Sequence, residues 1–197
     1  MTLTLNALLA MAWRTVRNAR EGAEEVLSLG VPREALWTAL LLVVVLSILL
    51  AQATSLLFTG TPSMGGLPIG PVPAGLVQLL LMIVMIFAIF WIGRAMGGSG
   101  SFEEAILLVV WLQFIMVCLQ GVQAFALLVM PPLAGLIGVF GLVLFLWLLT
   151  NFIAVLHGFN SLVQVFLMVL VSAFGIAFGL SLILTLIGVA MPMMGQP

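Results

Sequence analysis

The chain has 197 residues, of which 64% are apolar and 6% charged, with a formal net charge of −1. A soluble domain carries roughly a quarter of its residues as charges, so water is excluded as the solvent for most of this surface and lipid must cover it. The weak field excludes a nucleic-acid footprint, and a single cysteine, Cys118, excludes an intrachain disulfide or a thiolate metal cage and reads as a small core residue.

Every ionisable carboxylate and guanidinium lies between Arg14 and Glu34 or between Arg94 and Glu104. All five cations are arginine, which points to a GC-rich, bacterial coding sequence. The first cation is Arg14, too late for the basic start of a cleaved signal peptide, so no cleavage is expected.

Residues 1–30 read as a cytoplasmic amphipathic helix. Leu5, Leu8, Leu9, Ala12, Trp13 and Val16 recur at steps of three and four, while Arg14, Arg17, Glu21, Glu24 and Glu25 take much of the remaining circumference. Two placements are open: at the membrane surface with Trp13 among the headgroups, or across the cytoplasmic end of a bundle. Gly30 and Pro32 then stop one helix and start another.

Residues 31–197 read as an all-α bundle of five transmembrane helices. The first span is expected over 34–58, long enough to cross hydrocarbon about 30 Å thick. Thr59 to Pro73, with four prolines, four glycines and no charge, is a loop. The second span covers 74–93 and ends on Trp91 and Arg94, an aromatic and a cation suited to an interface. Gly97-Gly98-Ser99-Gly100 follows as a flexible turn, and Ser101-Phe102-Glu103-Glu104 has the form of a capping box opening the third span, 102–130. Pro131-Pro132 forces a turn before the fourth span, 133–156. His157 to Asn160 turns the chain again into the fifth span, 161–190, which Pro192 stops. With all arginines on one side, the N-terminus is expected in the cytoplasm and the C-terminus outside, in a bacterial inner membrane.

Reactive groups are scarce. Gly97-Gly98-Ser99-Gly100 resembles the small-Ser-small elbow of rhomboid proteases, with His157 as an imaginable base. Ser99, however, falls in a hydrated turn before the helix start at Ser101, and a connector explains the same letters. His157 reads as an interfacial residue at a helix C-terminus, and no metal site or cofactor is expected because no further ligands lie in range. Gln113, Gln120 and Gln123 fall within about 80° of arc on the third helix and form a candidate buried polar stripe. Its amides need partners on other helices, with Gln52, Ser55, Gln78, Thr150, Asn151, Gln164, Ser172 and Thr185 as candidates. A polar path for a small neutral solute is the alternative use. No carboxylate or cation lies mid-span, which argues against ion-coupled transport. Ser172, Gly175 and Gly179 share a face of the fifth helix, a candidate packing or partner face, and Gly135, Gly138 and Gly141 recur every third residue on the fourth.

The stretch Gly97 to Ala105 resembles the glycine-rich turn and Ser-aromatic-x-x-Ala helix start of the Yip1 family. Asn18-Ala19-Arg20-Glu21 is similar to the Asn-Pro-Arg-Glu of bacterial members, with alanine in place of proline. The resemblance implies the same five-span plan and offers no catalytic residue. The acidic-aromatic motif tied to small-GTPase association in eukaryotic relatives is not visible here. These features together lead to the expectation of a non-enzymatic scaffold or accessory subunit whose partners are the lipid bilayer and other membrane proteins or a second copy. A permease or channel for a neutral solute is the alternative, and an intramembrane hydrolase a distant one.

Overall fold

The computed structural model describes residues 4–59 and 70–186. Among them the protein is helical from end to end: α1 (Leu5–Arg17), α2 (Ala19–Leu27), α3 (Arg33–Thr59), α4 (Pro71–Ala95), α5 (Phe102–Val129), α6 (Pro131–His157) and α7 (Leu162–Leu186). The last five are long and apolar enough to cross a membrane, and the protein is a multi-pass membrane protein.

The N-terminal segment, expected as one helix over 1–30, is two. Asn18 is extended (φ −139°, ψ 93°). Its backbone N–H closes α1 on the Arg14 carbonyl, while its side-chain Oδ1 accepts from the Glu21 N–H at 3.4 Å and opens α2. An Asn side chain competes in this way for amides that a continuous helix would use internally. The chain folds back so that Gly22 of α2 sits directly on Thr15 of α1, where an added Cβ would lie 2.7 Å from the Thr15 Cα. Arg14 reaches Glu25 at 2.6 Å across the outside of this hairpin. The ion pair thus runs between two helices rather than along one.

Proline placement moves two span boundaries outward. Pro71 lies at the start of α4 and Pro131 at the start of α6. A ring without N–H loses nothing in a first turn, whose amides have no intrahelical partner, so these spans begin at 71 and 131 rather than at 74 and 133. The connecting loop over 60–69, and the expected end of the fifth span with its tail over 187–197, lie outside the described residues.

The spans are unequally packed. About half of the most apolar stretch of α6 and 44% of that of α5 is buried inside the protein, against 11% for α4 and for α7. The centre is therefore the α5–α6 pair, with α3 along one side and Leu40, Ile106, Leu112 and Leu148 fully buried among them. The α1–α2 hairpin closes the arginine-bearing end, with Ala23 and Val26 of α2 wholly enclosed against α5 and α6. Of the two placements the sequence left open for the N-terminal segment, covering the bundle end is realised by α2.

Candidate functional site

The glutamines divide. Ser47 of α3 donates to Gln120 Oε1 (3.2 Å), and Gln120 Nε2 donates back to the Ser47 carbonyl (3.3 Å). Gln123 Nε2 donates to the Ala134 carbonyl at the start of α6 (3.0 Å). These amides thus clamp α5 to its two neighbours, and both line an open cavity of about 350 Å3 with Thr54 and Gly135, at the end away from the arginines. Gln113, two turns nearer the arginines, is not in that cavity. Thr150, Asn151, Ser172 and Thr185, candidates to meet the stripe, instead bond carbonyls one turn back in their own helices. Ser47 carried no distinguishing signal in the sequence. Between the cavity and the arginine-bearing end the interior is filled by Ile48, Val44, Leu112, Ile115, Leu144 and Leu148, all buried.

Two of the α6 glycines differ from the third, Gly135, and from the α7 glycines, all of which face open space among the described residues. An added Cβ would lie 3.0 Å from Gln123 Nε2 at Gly138 and 2.9 Å from Leu119 Cδ2 at Gly141, so these positions admit α5 closely. At Gly175 and Gly179 it would meet nothing within 4 Å. Among the described residues nothing packs on the G-x-x-x-G face of α7. It borders an open groove of about 360 Å3 between α4 and α7, floored by Phe145 and Leu149 of α6. Ala88 and Ile92 of α4 form one wall and Ser172, Ala173 and Ala177 of α7 the other. Ser172 is the one polar side chain of this lining, and its hydroxyl is spent on the Met168 carbonyl at 2.6 Å. The groove thus presents shape and small side chains, without chemistry.

The arginine-bearing end is built around His157, expected at an interface but only 4% exposed. Its Nδ1 lies 3.3 Å from the Ile153 carbonyl. A carbonyl can only accept, so Nδ1 carries the proton and Nε2 the lone pair. Nε2 is buried without a hydrogen-bond partner among the described residues. The ring stacks on Phe159 (5.6 Å, 15°) and presses on Gly93 and Gly98, at either of which a Cβ would overlap it. A Cβ at Gly100 would lie 2.6 Å from Leu156 Cγ. The stretch read as a flexible turn is in fact a socket for the end of α6, and glycine is needed there for space. Gly97 is needed for its left-handed backbone (φ 89°), which ends α4 with the Gly98 N–H on the Gly93 carbonyl.

The next residues finish the joint. Ser101 Oγ accepts from the Glu104 N–H (3.2 Å), and Glu104 Oε2 accepts from the Ser101 N–H (2.8 Å), completing the capping box. Phe102 packs against Phe87 and Phe90 of α4 (5.1 and 5.6 Å), and Ala105 is fully buried. Ser99 is exposed, and no hydrogen bond joins it to His157 among the described residues. One further contact carried no motif: Trp111 Nε1 of α5 donates to Thr15 Oγ1 (3.2 Å), whose own hydroxyl donates to the Met11 carbonyl (2.9 Å). Its signal was a lone hydroxyl on the apolar face of α1. Among the described residues no group of histidine, cysteine and carboxylate side chains could hold a metal ion.

The family model of the Yip1 domain matches residues 13–190, from the middle of α1 to beyond α7. No curated protein and no solved structure matches the chain.

Proposed function

The chain belongs to the Yip1 family, and from that premise we propose that it is a non-enzymatic scaffold or accessory subunit of a bacterial inner membrane that seats a transmembrane helix of another membrane protein between α4 and α7. The observation that carries this reading is the groove of about 360 Å3 between the two least packed spans, beside a G-x-x-x-G face that nothing among the described residues occupies. Lipid tails are as apolar as leucine, so helix association in a membrane depends on close backbone approach, which Ser172, Ala173, Gly175 and Gly179 permit. The arginine distribution supports an N-terminus in the cytoplasm and a C-terminus outside.

The test is a photoreactive residue at Ala173 in the native membrane, with Leu42, exposed on α3, as control. The reading expects a discrete adduct at 173, absent at 42 and lost when Ala177→Trp fills the groove. Equal labelling at both positions, or none, overturns it. A solute path has one supporting observation, the cavity at Gln120 and Gln123. Its amides are engaged in clamping helices, and the apolar plug beyond it favours the scaffold. Replacing Gln113 and Gln120 by Leu tests the rival, which requires that solute flux in proteoliposomes be abolished.

A further inference from the structure

Helix α1 carries two apolar faces. One, through Met11, Ala12 and Thr15, is buried, packed chiefly on α2, with Thr15 also meeting Trp111 of α5. The other, Leu5, Leu9 and Trp13 at steps of four, is 65%, 44% and 63% exposed. The Thr15–Trp111 bond sets the level at which this second face lies, holding α1 beside the first three turns of α5. Over those turns a helix of 28 residues, about 42 Å long, passes from headgroups into hydrocarbon about 30 Å thick.

Charge is divided between the two arms of the hairpin. The ionisable side chains of α1 are Arg14 and Arg17, whereas α2 carries Glu21, Glu24 and Glu25 with a single cation, Arg20. Arg14 is neutralised by Glu25. Arg17 is exposed, has no carboxylate partner among the described residues, and lies over the Trp13 ring at 5.8 Å. A second pair of the same kind, Arg94 over Phe90 (5.5 Å) beside the exposed Trp91, ends α4 on the same side of the molecule. Aromatic rings with a cation at their edge are the side chains that settle at a headgroup layer, with ring in the acyl boundary and charge among phosphates.

We infer that α1 is a lipid-binding element: Leu5, Leu9 and Trp13 enter the leaflet on the arginine-bearing side, and Arg17 binds the phosphate of an anionic phospholipid. The helix is thereby shared between bundle and bilayer, one face to each.

The test uses the full chain with Cys118→Ser. Spin labels are placed at Leu9→Cys or Glu24→Cys after reconstitution into phosphatidylcholine bilayers with and without phosphatidylglycerol. The label at 9 is expected to be relaxed by oxygen and shielded from a water-soluble nickel reagent, and the label at 24 the reverse. Arg17→Gln is expected to lower retention of phosphatidylglycerol about fivefold, the effect of one basic residue at an anionic surface. A label at 9 as open to nickel as that at 24 overturns the proposal. So does a label at 9 shielded from both reagents, which would mean a protein cover, or unchanged lipid retention in Arg17→Gln.

Discussion

The socket around His157 can be tested by a single methyl group. Gly93→Ala places a Cβ roughly 1.5 Å inside van der Waals contact with the imidazole. The ring has little room to retreat, since Gly98 presses on its other side, Phe159 is stacked on it and Nδ1 is tied to Ile153. Overpacking of this kind costs about 1–3 kcal/mol, which for a chain of this size lowers the unfolding temperature by roughly 4–8 °C at about 2 kcal/mol. The same substitution in a His157→Ala background meets no ring. It should then be neutral or stabilising by about 0.5 kcal/mol through reduced freedom of the unfolded chain. The sign of the Gly93→Ala effect thus reverses with the identity of residue 157, a coupling of about 2 kcal/mol between neighbours. Thermal unfolding of the four variants in one mild detergent measures it. Equal effects of Gly93→Ala in both backgrounds would refute the socket.

Three further outcomes follow from contacts already described. Thr15→Val removes the acceptor of the Trp111 indole and leaves a buried N–H unpaired, a loss of about 1–3 kcal/mol; hydrogen exchange should rise in α1 and α2 while α5 and α6 stay protected. Ser101→Ala removes the cap of α5 and should cost about 1 kcal/mol, readable as a lower unfolding temperature that Ser101→Asp restores. Gly175→Ala meets open space and should leave the thermal stability of the isolated protein unchanged within about 0.5 kcal/mol, yet weaken the adduct formed at Ala173. A destabilised isolated protein would show that α7 packs differently.

The helices were legible in the sequence because a membrane leaves so few alternatives: apolar runs of the right length, bounded by Gly, Pro and arginine, have to be spans. The capping box was legible for a similar reason, since Ser101 and Glu104 act within four residues of one another. What escaped was contact between residues far apart in the chain. Gly98 and Gly100 read as slack because nothing local says that His157 and Leu156 fill the space above them. Gln120 was placed on a buried stripe, but its partner Ser47, 73 residues away, is one hydroxyl among several. The break at Asn18 was hidden by an apolar periodicity that continues on both sides, although Asn followed three residues later by Glu is itself a helix-start signal. Close approach of a second helix occurs at Gly138 and Gly141 and, among the described residues, not at Gly135, Gly175 or Gly179, because the same letters serve whichever helix comes near.

Docking of α2 against α6 also orders events during synthesis. Its cradle is completed only when His157 emerges, roughly 130 residues after Leu27. At about 5–20 residues per second that delay is on the order of ten seconds. For the earlier part of it, before α5 emerges, neither wall of that cradle exists, and the apolar refuge within reach of the nascent hairpin is the membrane into which the following helices are being threaded.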